Sequence, residues 1–336
     1  PGRGRGTGRS IVLNGHLDVV SPGDERRWSR SPWSGHIEGG RLYGRGSCDM
    51  KAGVAAAVFA VRALQQLGLK PSADVFIQTV SGEESGGMGT LATIVRGFRA
   101  DAAIILEPTE LALCPVQAGA LTFRLIVPGQ LAHAALKNTG VSAIDKLRPI
   151  LDAIDRLERD RHAAFSHPLY DDPQQVAPVS IGTLRAGDWP STVPNEVVAE
   201  GRFGVFPGES VDAARRALEA AVSAVADADP FLRNHRPTVE WFEGQFESGE
   251  TPLDAAVVKA LTHHHQNVAG HAPRVHGVTY GSDLRLFTNH AGMPAVLYGP
   301  GSAREAHAVD EFVELDQVVT ACAVVAATVA EWAGCA

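Results

Sequence analysis

The stretch ADVFIQTVSGEESGG, residues 73–87, contains a predicted buried strand that ends in two adjacent glutamates, Glu83 and Glu84. Like charges this close repel each other, and partial burial raises the cost further. A bound cation, or a task that needs an unusually basic carboxylate, would offset that cost. The stretch therefore predicts a functional site where a strand ends, and the flanking sequence indicates which kind.

Strands and helices alternate on both sides of this stretch. The strand SIVLNGHLDVV (10–20) is followed by a glycine-rich turn and then by a helix at 54–68. A further strand, DAAIILEP (101–108), comes after the glutamates, and the same pattern returns after about residue 246. This alternation predicts an α/β domain built around a mostly parallel sheet.

Residues 118–246 follow a different pattern. Their predicted elements come in the order β-α-β-β-α-β, which is that of the ferredoxin-like split arrangement. We therefore expect a separate α+β domain at 118–246, inserted into a first domain that consists of residues 1–117 and 247–336. No internal repeat or low-complexity linker separates these segments.

The composition is that of a globular protein with a large core. The chain has 336 residues, 45% hydrophobic content and a formal net charge of −8. The negative charge and the lack of a basic block argue against nucleic acid as a partner. The four cysteines show no CxxC spacing, so we expect a reducing compartment and a cytoplasmic location.

Neither end of the sequence predicts a membrane segment. The start, PGRGRGTGRS (1–10), has no apolar region of the kind found in signal peptides. The apolar stretch at 318–334 is short for a membrane span and carries Glu331. We interpret it as a buried terminal helix and expect no membrane partner.

Polar side chains lie at strand ends or in adjoining loops of the predicted α/β domain. His16 and Asp18 are two residues apart, so on a strand they project to one face. Asp49 lies in the glycine-rich turn, Glu107 ends its strand and His307 follows the last strand. Because the carboxyl ends of parallel strands share one edge, these groups can converge into a cluster of two histidines and three carboxylates.

Such a ligand set suits two divalent cations of the zinc type, with one carboxylate bridging them. One of the adjacent glutamates would then bind metal, and its neighbour would act as a base toward metal-bound water. Each residue also has a plainer interpretation when taken singly: Asp49 as a helix cap, His307 as a surface residue. The three histidines at 263–265 are interpreted as a solvated helix segment.

Six segments together resemble the M20 family of metallopeptidases and amidohydrolases. This family includes acetylornithine deacetylase, succinyl-diaminopimelate desuccinylase, aminoacylase and the glutamate carboxypeptidases. The segments follow the family's order over nearly the whole chain: NGHLDVV, GRGSCDMKAG, SGEESGG, LEPTE, GQLAHAA and GPGSAREAHAVDE. The resemblance implies a di-metal catalytic domain, with the ferredoxin-like insertion as a lid and dimerisation domain.

The resemblance also implies roles for individual residues. It implies five metal ligands: His16 and Glu107 for one ion, Glu84 and His307 for the other, and Asp49 bridging both. Glu83 would be the general base on a metal-bridging water, and Asp18 would orient His16.

Further contacts follow from the same resemblance. His133, in the inserted domain, would reach a neighbouring subunit's active site and stabilise the oxyanion there. Asn195 and Arg285 are expected to contact the substrate, Arg285 by pairing with a carboxylate. Family members usually have a helix and strands before the His16 motif, and we expect this chain to lack them.

These observations predict a hydrolase that cleaves the amide bond of an N-acyl amino acid or small peptide, as acetylornithine deacetylase does. We expect two divalent ions, zinc first and cobalt as the alternative, and a homodimer paired through the inserted domain. Three alternatives stay open: a dipeptidase or glutamate-carboxypeptidase-like peptidase, a non-catalytic metal-binding or interaction protein, and a phosphoesterase. For the last, the sequence shows no phosphate-cradling loop or arginine cluster.

Overall fold

The computed structural model describes residues 8–336, so most of the glycine- and arginine-rich start lies outside the described residues. The chain forms two compact units. Unit 1 consists of the residues up to Gln117 together with Gly249–Gly277 and Ser282–Ala336. Unit 2 consists of Ala118–Ser248 and Val278–Gly281.

The strands and helices are numbered in chain order. The strands are β1 Ile11–His16, β2 His36–Glu38, β3 Arg41–Tyr43, β4 Val75–Val80, β5 Ala102–Ile105, β6 Leu113–Gln117, β7 Gly119–Pro128, β8 Ala132–His133, β9 Val179–Ala186, β10 Thr192–Val193, β11 Glu196–Val205, β12 Thr238–Trp241, β13 Gly249–Glu250, β14 Val275–Val278, β15 Ala295–Leu297 and β16 Phe312–Glu314. The α-helices are α1 Ala52–Gln66, α2 Met88–Val95, α3 Ala143–Ala164, α4 Val211–Ala228, α5 Ala256–Ala269 and α6 Leu315–Trp332.

The main sheet of unit 1 has the strand order β13-β6-β15-β5-β1-β4, with β14 paired to β6. Strands β4, β1, β5 and β15 run parallel to one another. Strand β6 is antiparallel to β15, and β13 is antiparallel to β6. The prediction of an α/β fold around a mostly parallel sheet is confirmed.

Strand β1 lies inside this sheet, and all six of its residues are buried. A parallel strand with both faces covered is expected to be apolar throughout rather than alternating, and Ile11, Val12 and Leu13 fit that rule. Helix α1 approaches the strand ends closely, because a Cβ at Gly53 would overlap the carbonyl oxygen of Leu106. Glycine at this position brings the start of α1 next to the residue that precedes Glu107.

Helix α6 is the one helix among the described residues that is long and apolar enough to cross a membrane. It packs against α1 and α5 within unit 1. Its packed face contains Val324, Val325, Val329 and Trp332, which are buried. The buried apolar residues of α6 therefore pack against other helices of unit 1.

A small antiparallel sheet, with the order β16-β3-β2, was not predicted from the sequence. Phe312 pairs with Tyr43, so the segment after His307 lies against the segment that precedes the Asp49 turn. The strands are three residues each, too short to show a period. This sheet joins two segments that carry predicted site residues.

Unit 2 contains a four-stranded antiparallel sheet with the order β12-β7-β11-β9. Residues of β7 alternate between buried and half-buried, and Leu121, Phe123 and Leu125 belong to the core that α3 and α4 cover. The main elements follow the order β7-α3-β9-β11-α4-β12, that of the ferredoxin-like arrangement. The short strands β8 and β10 pair with each other beside this sheet.

Candidate metal centre

The parallel strands bring three of the predicted residues to one edge of the main sheet. His16 is the last residue of β1 and pairs with Val80, the last residue of β4. Glu83 follows β4 closely, and Glu107 follows β5 on the other side of β1. Because all three strands are parallel, their carboxyl ends place these side chains together.

Asp49 lies between two histidines. It belongs to the turn Ser47–Lys51 that leads into α1. One carboxylate oxygen, Oδ1, is 3.0 Å from Nε2 of His16, and the other, Oδ2, is 3.3 Å from Nε2 of His307. Each oxygen thus faces a different imidazole, which is the arrangement that a carboxylate bridging two cations requires.

His307 and Glu84 complete the second half of the cluster. Nε2 of His307 is 3.2 Å from Oε2 of Glu84. The His307 side chain is 52% exposed, whereas that of Glu84 is 15% exposed. The cluster is therefore open to solvent on the His307 side, where a substrate can approach.

A hydrogen bond fixes the tautomer of His16. Nδ1 of His16 lies 2.8 Å from the backbone carbonyl oxygen of Asp18, and a carbonyl only accepts, so Nδ1 carries the proton. When the ring is neutral, Nε2 therefore carries the lone pair on the side of Asp49, as a metal ligand requires. The Asp18 carboxylate is 3.7 Å from Nδ1, and its other oxygen accepts from the backbone N–H of Glu84. Asp18 thus holds His16 mainly through its backbone.

Glu83 and Glu107 are the most buried acids of the cluster, at 7% and 4% exposure. Ligand atoms of Glu83, Glu107 and His16 lie within 4.8 Å of one another. Burial raises the pKa of Glu83 well above its ordinary value, and the charge of Glu107 adds to the effect. Burial and the charge of Asp49 likewise raise the pKa of Glu107. Glu83 is thus a stronger base than an exposed glutamate.

The two histidines respond to the same charges. Burial by itself lowers the pKa of His16, but the hydrogen bond to Asp49 and the charges of Glu107 and Glu83 raise it to about 11. Hydrogen bonds to Asp49 and Glu84 raise the pKa of His307 to about 10. Burial acts to raise the pKa of Asp49, and the two histidines reverse that effect and lower it.

The donor set fits two divalent cations. Imidazole nitrogens and carboxylate oxygens are the ligands that zinc and similar ions take in hydrolases. Five carboxyl groups face only two imidazoles, so negative charge is in excess even when both rings are protonated: Asp18, Asp49, Glu83, Glu84 and Glu107. The carboxylates raise the pKa of both histidines, which indicates that the site favours positive charge.

Arg285 lies in unit 1 beside the loop of the two glutamates. Its side chain is buried at 3% exposure and donates hydrogen bonds to the carbonyl oxygens of Gly86 (2.8 Å) and Ser282 (3.2 Å). The guanidinium thus holds the loop that carries Glu83 and Glu84. The expected contact of Arg285 with a substrate carboxylate stays a prediction.

Asp283 was not predicted from the sequence, although it supports the same loop. It is fully buried, and its Oδ2 accepts a hydrogen bond of 2.6 Å from Thr90. Thr90 in turn accepts from Asn14, two residues before His16 on β1. A Cβ at Gly87 would overlap Asp283 Oδ1, so only glycine lets the glutamate loop pack this closely. The signal in the sequence is an acid that directly precedes the segment LRLF (284–287), in which three of four residues are apolar.

Two predicted residues belong to unit 2. His133 is exposed, and its Nδ1 accepts a hydrogen bond of 3.1 Å from the N–H of Ala135, which places the ring proton of the neutral imidazole on Nε2. Asn195 is exposed and lines a polar cavity of about 540 Å³ together with Arg124, Arg185 and Glu200. Nothing in unit 2 tests their predicted contacts with a substrate.

The histidines at 263–265 and Cys48 lie outside the proposed metal ligands and contact other protein groups. His264 Nε2 lies 2.6 Å from Glu331 Oε2, and His263 is close enough to join them as a surface cluster. His265 is buried and its Nδ1 lies 2.9 Å from the hydroxyl of Tyr298. The thiol of Cys48 donates to the carbonyl oxygen of Ser302, and burial raises its pKa, so it is a packed residue rather than a nucleophile.

An α/β domain that gathers this donor set at the ends of its parallel strands defines a metal-dependent hydrolase. The chain belongs to the peptidase family M20/M25/M40, whose sequence model matches residues 12–331. The resemblance seen in the six sequence segments is thereby confirmed. Members of this family bind divalent metals, usually two, and cleave carbon–nitrogen bonds, so the chain is a hydrolase acting on amide bonds.

Individual relatives cover most of the chain. It is 28% identical to the N-formyl-4-amino-5-aminomethyl-2-methylpyrimidine deformylase of Halalkalibacterium halodurans, over 96% of this chain and 79% of the relative. It is 28% identical to the acetylornithine deacetylase of Myxococcus xanthus, over 98% of this chain and 82% of the relative. The M20 family metallo-carboxypeptidase Sso-CP2 from Sulfolobus solfataricus has the same fold, with a TM-score of 0.79 at 18% identity over 97% of this chain and 85% of that one.

Proposed function

We propose that this protein removes a small acyl group from an N-acyl amine, by hydrolysing the amide bond at the cluster around Asp49. The observation that carries the proposal is the position of Asp49, whose two oxygens each face a different histidine. A pair of cations would make use of both halves of this cluster. The fold and the family place the reaction among amide hydrolyses.

Five residues would hold the two metals: His16 and Glu107 for one, His307 and Glu84 for the other, and Asp49 for both. When bound, the metals would polarise the substrate carbonyl and make water a better nucleophile at neutral pH. Zinc is the proposed metal, with cobalt as the alternative, because histidine and carboxylate ligands suit both. The hydrogen bond from His16 to the Asp18 carbonyl orients the ring for this task.

Glu83 would move the proton. Its carboxylate lies beside the proposed ligands, with Oε2 4.0 Å from His16 Nε2. It would take a proton from the attacking water and deliver it to the leaving amine. The burial that raises its pKa strengthens it as a base for this transfer. The chain of contacts through Arg285 and Gly86 holds its loop in place.

The proposed substrate is an N-acyl amino acid or a small N-acyl compound of similar size. The similarity to an acetylornithine deacetylase supports an acylated amino acid. A second candidate is a formylated aminomethylpyrimidine, because two pyrimidine deformylases, from Halalkalibacterium halodurans and Bacillus subtilis, match 96% and 92% of this chain. Both reactions release a primary amine and a small carboxylic acid, so the same proton transfers serve both.

Unit 2 would contribute in three ways. His133, with its ring proton on Nε2, would donate to the oxyanion in a neighbouring subunit's site, and unit 2 would pair two subunits. Asn195 would contact the substrate from the loop before β11. These three statements rest on the family resemblance and on the exposure of both side chains.

A substrate panel tests the proposal. The purified protein, stripped of metal and then loaded with zinc or with cobalt, is assayed for amine release from N-acetylornithine, other N-acetyl and N-formyl amino acids, the formylaminopyrimidine and dipeptides. Turnover of an acylated amine in the metal-loaded protein supports the proposal, and the preferred acyl group selects between the two candidates. Turnover of dipeptides alone would favour a peptidase, and two bound metals without any turnover would favour a non-catalytic protein. Hydrolysis of a phosphate ester alone would replace the proposal with a phosphoesterase.

A further inference from the structure

Arg45 and Glu311 form an ion pair buried within unit 1. Their side chains are 3% and 0% exposed, and Nη1 of Arg45 donates to Oε2 of Glu311. Arg45 lies just after β3, and Glu311 lies just before β16, which pairs with β3. The pair thus extends the contact between two segments that are far apart in the sequence.

The second oxygen of Glu311 holds the turn that carries Asp49. Oε1 accepts a hydrogen bond of 2.9 Å from the backbone N–H of Cys48 and one of 3.1 Å from that of Asp49. Glu311 therefore fixes the backbone of the residue whose carboxylate lies between the two histidines. Its contact is with the peptide of Asp49 and leaves both carboxylate oxygens of Asp49 directed at His16 and His307.

Arg45 holds the opposite segment. Its Nη2 donates a hydrogen bond of 3.2 Å to the carbonyl oxygen of Ala308, the residue after His307. Its guanidinium also lies over the ring of Trp28, with the central carbon 5.2 Å from the ring centroid. These two contacts, together with Glu311, fix the direction of the guanidinium.

The backbone around His307 needs such support. His307 and Asp310 have φ values of 61° and 60°, in the left-handed region that residues other than glycine seldom adopt. Conformations of this kind persist only where surrounding contacts hold them. The hydrogen bond from Arg45 to Ala308 lies between these two residues and is one of the contacts that hold the loop.

A buried ion pair is not the cheapest way to join two segments. Two apolar side chains of similar volume often stabilise a core as well or better, because charges lose solvation on burial. The arrangement of this pair supplies something that apolar residues cannot. The carboxylate binds the peptide of one proposed ligand, and the guanidinium binds the peptide next to another.

We propose that Arg45 and Glu311 are positioning residues that set the distance between Asp49 and His307, and with it the affinity for the cation shared by Asp49, Glu84 and His307. The inference rests on the proposed two-metal site. It concerns how the site is held rather than what the site cleaves. Neither residue touches the proposed metals, since both act through the backbone of a neighbour.

Metal affinity in paired variants tests this inference. The double variant Arg45→Met/Glu311→Met keeps the approximate volume of the pair and removes both buried charges, so it is expected to fold. Cobalt titration of the stripped protein, followed by visible absorption, should show one site with near-normal affinity and a second site weakened by about 10- to 100-fold. Glu311→Gln, which keeps an acceptor oxygen for the two amides, should weaken the second site less.

The control removes a neighbouring ion pair, which lies on β3 and β16 themselves. Arg41 and Glu314 pair at 2.7 Å at the half-exposed end of β3 and β16, and Glu314→Gln should leave both cobalt sites unchanged. Thermal unfolding of every variant is measured in parallel. A double variant that binds two cobalt ions as the unmodified protein does would overturn the inference, whatever its stability. If the double variant fails to fold, the cobalt affinities of Glu311→Gln and Glu314→Gln are compared instead. Equal affinities of the second site in these two variants would overturn the inference.

The result also separates this inference from the proposed function. An unmodified chain that binds fewer than two cobalt ions would overturn the two-metal site itself and this inference with it. An unmodified chain that binds two ions, combined with unchanged affinity in the variants, would overturn only the positioning role. A shift in the cobalt spectrum of the second site that accompanies its loss of affinity would support that role.

Discussion

The residues of the metal centre show how a cluster of like charges can be stable in a folded protein. Asp49 lies between the two imidazoles that offset the negative charge: its two oxygens face His16 and His307 at 3.0 and 3.3 Å. The imidazoles lower the pKa of Asp49. Burial raises the pKa values of Glu83 and Glu107. The same repulsion that makes the cluster costly gives it a strong attraction for cations.

The role of Glu83 can be separated from metal binding by one substitution. Glu83→Gln keeps the size of the side chain and removes the base, so kcat should fall by about 10²- to 10⁴-fold. The metal content should stay that of the unmodified protein, because glutamine removes no proposed ligand. The check is kcat on the best substrate of the panel, together with metal per chain by elemental analysis. Near-normal turnover in this variant would refute the role of Glu83.

The pKa values of the two histidines predict that metal binding releases protons. Both pKa values, about 11 for His16 and about 10 for His307, lie above neutral pH, so both rings are protonated in the metal-free protein at pH 7. Only the neutral ring binds metal, so loading should release about two protons from these rings, and affinity should rise with pH up to the pKa values. Titration calorimetry in buffers of different ionisation enthalpy measures this release.

The matched control for proton release is His307→Ala. This variant lacks one of the two histidines whose pKa is raised, so the number of protons released should be smaller by about one. Heats that do not depend on the buffer would contradict the protonated state of the histidines. Affinity that falls as the pH rises from 6 to 8 would contradict the sign of the effect.

At the scale of elements, the centre depends on where strands end and on which turns follow them. Strand β1 lies between β4 and β5 and runs parallel to both, and this alone brings His16, Glu83 and Glu107 together. Asp49 and His307 come from turns, and the small sheet of β2, β3 and β16 brings those turns to the same edge. Two different sheets therefore build one site.

Helix α6 provides a test of packing in unit 1. Val324 is completely buried, whereas Val319 on the same helix is 68% exposed. Val324→Ala should lower the free energy of unfolding by about 2 kcal/mol, because a buried valine loses that much transfer energy and leaves a cavity. Val319→Ala, the control, should change it by less than about 0.5 kcal/mol. Denaturant unfolding measures both, and equal effects would contradict the packing of α6 in unit 1.

At the scale of the whole molecule, the chain divides its tasks between two units. Unit 1 contains every proposed metal ligand and the proposed base, and unit 2 contains His133 and Asn195. The division follows the change of sequence pattern, from alternating strands and helices to the β-α-β-β-α-β order.

Mixing two inactive variants tests whether His133 acts across a dimer. His133→Ala and Glu83→Gln should each be nearly inactive alone. In a C₂ dimer formed by random exchange of equal amounts, about one site in four combines an intact Glu83 with an intact His133 from the other subunit, so activity should recover to about that fraction. The measurement is specific activity after co-refolding or subunit exchange, with size determined by light scattering. A dimeric mixture that stays inactive would count against action across the dimer.

The sequence showed the architecture where a periodic pattern or a long element was present. The alternating runs before residue 118 and after residue 246 indicated the parallel sheet, and the β-α-β-β-α-β pattern of residues 118–246 indicated the main elements of unit 2. The three-residue strands β2, β3 and β16 could not be found, since they are too short to show a period. Strand β6, LCPVQ, contains a proline and was also missed, because proline argues against a strand inside a sheet.

The sequence by itself determined the chemistry of this protein: which imidazoles and carboxylates are available, and that they lie at strand ends and turns, where parallel strands bring side chains together. Only the tertiary structure decided their surroundings. It showed that Arg285 holds a loop from a buried position, that the Asp18 backbone orients His16, and that Glu311 and Arg45 hold the turns of Asp49 and His307. The physical reason is that a hydrogen bond between residues far apart in the chain depends on distance in the fold, which no local pattern encodes.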